Sequence, residues 1–117
     1  MTRIDVATTL GSRPATWVRV CGPLDDHGAV SALHQAVGLL PLGATIVLQV
    51  DHDAALSDTG VHGLAELSHQ VAADHGRLII VAEDVDQRAQ LVLAEVDHRA
   101  TLLHSAEQAA QLLGHAA

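Results

Sequence analysis

Residues 44–61 read ATIVLQVDHDAALSDTGV, and this stretch decides the fold of the chain. Its apolar first part is typical of a strand buried on both faces of a parallel or mixed sheet. Its last part, SDTGV (57–61), places helix-capping residues before a long helical pattern. The stretch therefore predicts a strand, a hydroxyl-rich loop and a helix. Thr59 lies beside free backbone N–H groups, where an added phosphate would be tolerated electrostatically.

The N-terminal part of the chain contains two strand patterns and one helix pattern. Residues 4–8 and 16–21 alternate in polarity, and a turn containing glycine and proline separates them, so the two segments can pair as a hairpin. Asp25 or Asp26 can then cap a helix that extends to Leu40, with proline and glycine after it.

Helix and strand patterns continue to alternate after residue 61. Apolar positions recur at helical spacing, and His75-Gly76 predicts the end of the second helix with the glycine as its cap. Strands follow at 77–82 and 101–103, and Ser105 with Gln108 forms a capping box for a final helix ending near Gly114. Asp84 predicts the start of a third helix, which carries Val85, Ala89, Val92, Leu93 and Val96.

The order of these elements predicts an α/β fold with one sheet. At 117 residues the chain is long enough for one domain, so residues 1–117 are expected to form a single domain. Trp17 is the only aromatic residue, and the core must therefore be aliphatic. Cys21 is the only cysteine, which excludes an internal disulfide, and its apolar neighbours suggest a buried thiol without a redox role.

The charge composition limits the classes of partner. Fourteen acidic residues, six arginines and no lysine give a formal charge of −8, which disfavours nucleic acid. A partner with a basic face would suit this charge, although solubility alone also produces a negative surface. No apolar run approaches the length of a membrane span, and the N-terminus lacks a signal pattern, so we expect a cytoplasmic protein without membrane insertion.

Four segments, taken in order, carry a resemblance to a known family. They are VRVCGPLD (18–25), IVLQV (46–50), SDTGV (57–61) and GRLIIV (76–81). Together they resemble the STAS domain of the bacterial anti-sigma-factor antagonists. The resemblance implies a STAS fold, a mixed β-sheet of about five strands with about four helices mainly on one side.

The resemblance also implies a function. The unphosphorylated chain would bind an anti-sigma factor with serine/threonine kinase activity, and phosphorylation at Thr59 would switch that binding off. ATP and magnesium would belong to the partner, so the chain itself would be no enzyme and would need no cofactor; a homodimer stays open. The partner-binding residues implied are Leu24, Asp25, Ser57, Asp58, Thr59, Gly60 and Val61.

Two positions depart from the family pattern. Gln49 stands where the central strand usually ends with an Asp, and Ser57 precedes Asp58 where the loop usually reads Asp-Ser-Ser-Gly or Asp-Ser-Thr-Gly. Thr59 still matches the phosphoacceptor and Gly60 the glycine after it. Two alternatives stay open: a constitutive STAS module of a transporter or signalling complex without phosphorylation, and a loop that only caps a helix.

Histidine-based chemistry is the remaining alternative. His62, Glu66 and His69 would lie along one helix face, but a metal site needs three or four convergent ligands, so exposed polar positions are the better interpretation. His52 lies between two aspartates without a nucleophile motif, and a solvated loop fits it better. No phosphate-binding glycine loop occurs either. We therefore expect no metal and no catalytic residue.

Overall fold

The computed structural model describes residues 3–9, 15–22, 24–40, 43–51 and 56–113. Within these ranges five strands form one mixed sheet. The strands are β1 (Arg3–Thr9), β2 (Ala15–Cys21), β3 (Thr45–Val50), β4 (Arg77–Ala82) and β5 (Thr101–Leu103). The helices are α1 (His27–Gly38), α2 (Asp58–Ala73), α3 (Val85–Leu93) and α4 (Ala106–Leu112), and a 3-10 turn covers Val96–His98.

The strands are adjacent in chain order, β1-β2-β3-β4-β5. β1 and β2 pair antiparallel, which confirms the predicted hairpin, and β2 to β5 pair parallel because a helix connects each strand to the next. β3 lies in the middle, and four of its six side chains are buried. The structure therefore confirms the predicted mixed sheet.

The helices lie mainly on one face of the sheet. α1, α2 and α3 cover the larger aliphatic core, with Leu48 and Ile80 of the sheet fully buried beneath them. α4 covers a smaller cluster on the other face, where Ala109 packs near Val47 and the partly buried Trp17. Helices therefore bury both faces of the sheet at β3 and β4. This burial explains why the two strands are nearly continuous apolar runs.

The ends of α1 and α2 differ from the predicted ones. α1 ends at Gly38, two residues before the predicted Leu40. At the end of α2, His75 adopts the left-handed conformation with φ 61°, so the glycine expected to be the cap is not the residue with positive φ. Gly76 is needed for a different reason: a Cβ there would lie 2.9 Å from the carbonyl oxygen of Ala44.

Three further details correct or leave aside the sequence predictions. Cys21 is only partly buried, and its Sγ lies 3.8 Å from Arg3 Nη2 and 3.9 Å from Asp5 Oδ2, so the thiol has polar neighbours. In the capping box, Gln108 Oε1 accepts from His104 N at 3.1 Å and not from Ser105 N. The predictions for the first turn (11–14), His52 and Gly114 lie outside the described residues.

Among the helices described, none combines the length and apolar character that crossing a membrane requires.

Most of the apolar residues assigned to the third helix do not face the core. Val85 is 68% exposed and Leu93 is 85% exposed, whereas the side chains that α3 buries are Gln87 and Leu91. Val96 is buried, but it lies in the 3-10 turn beyond the end of α3. Apart from Leu91, the large apolar residues of α3 therefore face solvent.

Candidate functional site

The loops that follow β2 and β3 meet at one edge of the sheet. Leu24 and Leu56 form a parallel bridge beyond the ends of the two strands. Leu24 is fully buried, and Leu56 is nearly so. This bridge brings the two segments singled out in the sequence into contact, although they are distant in the chain.

Ser57 joins these two segments to the start of α2. Its hydroxyl donates to the carbonyl oxygen of Asp25 at 3.1 Å and accepts from the backbone N–H of Gly60 at 3.2 Å. Ser57 is therefore the N-cap of α2 and a cross-link to the first loop. Both hydrogen bonds fix the conformation of the residues on either side of Thr59.

Gly60 permits the close approach of the first loop to α2. A Cβ on Gly60 would overlap the carbonyl oxygen of Leu24, and backbone atoms cannot move aside as a flexible side chain would. Packing therefore requires glycine here. Backbone conformation does not, because Gly60 is not one of the glycines with positive φ.

The predicted site residues are brought together, but they differ in exposure. Leu24, Gly60 and Val61 are buried, so their side chains can shape the site but offer little surface to a partner. Asp25 and Asp58 are exposed, and Ser57 and Thr59 are partly exposed. Asp58 occupies the first turn of α2, where the helix dipole favours a carboxylate.

Two glutamines of α3 hold the segment between β3 and α2. Gln87 Nε2 donates to the carbonyl oxygen of Asp51 at 3.0 Å, and Gln90 Nε2 donates to that of Leu56 at 3.3 Å. Asp51 follows β3 and Leu56 precedes the N-cap of α2, so both ends of this loop are tied to α3. Sequence reasoning missed both glutamines, because hydrophobic periodicity gives no sign that a polar face is turned inward.

The exposed apolar residues of α3 adjoin the start of α2. Leu93 and Ala94 line a shallow depression together with Asp58, Val61 and Gln90. Val92, 49% exposed, is the neighbour of Leu93 in the same helix. The result is an apolar surface beside Asp58, at the start of α2.

A groove of about 430 Å³ lies on the other side of Thr59, between α1 and α2. The two helices are close there because Gly63 has no side chain: a Cβ would lie 2.5 Å from Val30 Cγ1. His34 of α1 also contacts α2, with Nε2 3.0 Å from the carbonyl oxygen of Gly63. The groove is lined by His27, Val30, Asp58, Thr59, His62, Gly63 and Glu66.

Acidic residues surround this edge of the sheet. Arg19 Nη2 lies 3.3 Å from Asp51 Oδ1, and Arg88 Nη1 donates to the carbonyl oxygens of Ala82 and Glu83 at 2.7 and 2.9 Å. Those two arginines are thus engaged in holding loops. The exposed or partly exposed acidic residues are Asp25, Asp26, Asp51, Asp58, Glu83 and Asp84.

The helix face considered for metal binding carries a single ion pair. His62 Nε2 lies 3.0 Å from Glu66 Oε1, and both side chains are more than half exposed. Across the described ranges, no three His, Cys, Asp or Glu side chains converge as metal ligands.

At the level of sequence, no family model and no curated protein matches this chain. Its structure, however, is similar to solved ones over nearly its full length. An anti-sigma factor antagonist from Mycobacterium paratuberculosis superposes with a TM-score of 0.70 at 20% identity, covering 96% of this chain and 95% of that one. The anti-sigma factor antagonist SpoIIAA, in its unphosphorylated form, gives a TM-score of 0.66 at 17% identity, covering 94% and 97%.

These similarities show the fold. The chain has the STAS fold of the anti-sigma factor antagonists, with a five-stranded mixed sheet and four helices in the described residues. The predicted fold class is thereby confirmed.

Proposed function

We propose that this chain is an anti-sigma-factor-antagonist-like regulator, which binds a kinase-type anti-sigma factor and is switched off by phosphorylation at Thr59. The observation that carries the proposal is the position of Thr59: a partly exposed hydroxyl residue in the first turn of α2, where neighbouring segments hold the helix start in place. Ser57, Gly60 and the α3 glutamines supply the fixed frame. A rigid frame around one modifiable side chain is what a charge switch at an interface needs.

The chemistry of the switch belongs to the partner. The anti-sigma factor would transfer the γ-phosphoryl group of ATP to Thr59 Oγ1, while the bond to the departing ADP breaks and the hydroxyl proton passes to a base of the partner. In this proposal the chain contributes a hydroxyl and a docking surface, and neither a cofactor nor a catalytic residue.

Phosphorylation should act on binding more than on folding. The phosphate adds about −1.5 to −2 charges at pH 7. It would lie at the positive end of the α2 dipole, so the helix tolerates it. The surface around it is already acidic, and a partner with a basic face therefore fits the unmodified chain. The expelling effect would come from the bulk of the phosphate and from the cost of removing its charge from water at the apolar surface around Leu93, which adjoins Asp58.

The domain assignment and the cellular setting belong to the same proposal. We infer that residues 1–117 act as a single STAS domain in the cytoplasm, since the similarity to the two antagonists extends over nearly the whole chain. A homodimer is compatible with this function but is not required by it.

The test is affinity capture from lysate of the native host, with wild-type, Thr59→Ala and Thr59→Glu chains as baits and mass spectrometry of the bound proteins. We expect a kinase-fold anti-sigma factor on the Ala bait and its loss from the Glu bait. Gln111→Glu is the matched control, because it adds the same charge on α4, on the opposite face of the sheet. Equal capture by the Glu bait, the Gln111 control and wild type would contradict the switch.

One observation favours a second function. Asp58 is an exposed carboxylate next to Thr59, and its negative charge is permanent. It can repel a kinase, or it can imitate the charge that phosphorylation would add. The alternative is a constitutive STAS interaction module of a transporter or signalling complex, without phosphorylation. Capture of transport or scaffold proteins by all the baits alike would favour this alternative and leave Thr59 as part of a helix start.

A further inference from the structure

The groove between α1 and α2 contains two histidines that the function proposed above does not use. His27 is the first residue of α1, and His62 lies one helical turn after Thr59 on α2. Residues three apart on a helix are neighbours on its surface, so His62 and Thr59 face the same side. His27 approaches the same groove from the opposite wall.

The first turns of both helices open onto this groove. His27 and Val30 belong to the first turn of α1, whereas Asp58 and Thr59 belong to that of α2. Each N-terminus carries a partial positive charge, and the two dipoles therefore favour an anion in the same place. The close contact of Gly63 with Val30 keeps the two N-termini near each other.

The side chains lining this groove that can carry a positive charge are histidines, which do so when protonated. The chain has no lysine, and no arginine is among the residues that line the groove. A phosphate attached to Thr59 could therefore gain charged hydrogen bonds here from imidazolium groups. A dianion nearby favours the protonated imidazole, because opposite charges stabilise each other.

We propose that the phosphate of phosphorylated Thr59 is bound in this groove by the imidazolium forms of His27 and His62, so that phosphorylation is coupled to proton uptake. The proposal rests on phosphorylation at Thr59 as the modification, but not on the identity of the kinase or of the partner. Its consequence is a pH-dependent switch. In mildly acidic solution the two imidazolium groups would offset the charge of the phosphate. In alkaline solution both imidazoles would be neutral, and the charge of the phosphate would be uncompensated.

Acidic groups facing the groove oppose this binding. Asp58 and Glu66 of α2 line the groove, and Glu66 pairs with His62 in the unmodified chain. Asp25 and Asp26 precede α1, and the Asp26 carboxylate is engaged by the backbone N–H of Ala29 at 2.7 Å. In the phosphorylated chain the phosphate would compete with Glu66 for His62, and it carries the larger charge.

The experiment is a ³¹P NMR titration of the full chain with phosphothreonine incorporated at position 59 during synthesis. The second pKa of phosphothreonine is ordinarily about 6. We expect the double variant His27→Gln/His62→Gln to titrate at a pH about half a unit or more above the unsubstituted phosphorylated chain. The difference should shrink in 1 M salt, because the groove is open to water.

Two further variants sharpen the result. His69→Gln removes an exposed histidine of α2 that does not line the groove, and it should leave the titration unchanged. Glu66→Gln frees His62 from its pair, and it should lower the titration midpoint of the phosphate. An unchanged midpoint in the double histidine variant would overturn the proposal. Because no kinase or partner is present, that result would leave the proposed function standing.

Discussion

α2 and α3 carry similar apolar patterns, yet they use them in opposite ways. α2 turns Leu64 and Leu67 into the core, where both are fully buried. α3 turns Gln87 inward and leaves Val85 and Leu93 in solvent. The difference shows that an apolar stripe in a sequence does not by itself decide which side of a helix packs on the sheet.

The glutamines that α3 turns toward the protein have a structural reason. The carbonyl groups of Asp51, after β3, and of Leu56, before α2, are partly buried, and buried carbonyls need donors. Gln87 and Gln90 supply these donors at Asp51 and Leu56. α3 thus holds Asp51 and Leu56 at the two ends of the connection from β3 to α2, while its apolar side is exposed beside the start of α2.

The largest expected effect tests the two apolar stripes directly. Leu67→Ala should reduce the free energy of unfolding by about 3 kcal/mol, because it opens a cavity in a fully buried site. Leu93→Ala should change it by no more than about 0.5 kcal/mol, because Leu93 is mostly exposed. Urea unfolding of both variants measures this. A large decrease in the free energy of unfolding of the Leu93 variant would show that Leu93 is part of the core. It would contradict the difference described between α2 and α3.

The same Leu93 variant tests docking. In the background of Thr59→Ala, Leu93→Ala should reduce capture of the partner about fivefold or more, since fully burying a leucine side chain is worth about 1.5 to 3 kcal/mol and the alanine loses most of it. Leu39→Ala is the control, because Leu39 is equally exposed at the end of α1 and does not line the surface beside Thr59. Equal loss in both variants would argue against a specific role for the α3 surface.

The next effect concerns the tight packing at the start of α2. Gly60→Ala should cost about 2 to 3 kcal/mol, because the new methyl group would overlap the Leu24 carbonyl oxygen. Gly38→Ala has nothing within 4 Å and should be neutral or stabilise by up to about 1 kcal/mol. Chemical denaturation distinguishes them, and similar values for the two variants would contradict the packing described for Gly60.

A smaller effect is expected from the link between the two helices. Gln90→Ala removes the hydrogen bond to the Leu56 carbonyl and should cost about 1 kcal/mol. Amide hydrogen exchange should become faster at residues 56–60, because the loop loses one of its ties to α3. The exposed Gln35→Ala on α1 serves as reference. Unchanged exchange in the loop would show that α3 does not support it.

The smallest effect comes from Asp58. Asp58→Asn should lower stability by about 0.3 to 1 kcal/mol, because the carboxylate complements the dipole of α2. The loss should fade in 1 M salt. Thermal unfolding at two salt concentrations measures it, and a salt-independent loss would point to a specific contact instead of the dipole.

Much of the fold was predictable because its signals are local. Strand alternation, the caps at Asp26, Ser57 and Asp84, and the apolar run of β3 each depend on neighbours a few residues away. The hairpin and the helical connections then agree with the antiparallel pairing of β1 with β2 and the parallel pairing of β2 with β3. The cap predicted at Gly76 failed because that glycine serves the packing against Ala44, a long-range contact.

The sequence by itself determined the order of strands and helices, the aliphatic core and the placement of Thr59 at a helix start. These features follow from periodicity and capping, which operate within one or two turns of chain. Only the tertiary structure decided which face of α3 is buried, why Gly60 must be a glycine, and that His27 and His62 share a groove with Thr59. Those facts depend on which distant segments meet when the helices pack on the sheet, and no local pattern records that.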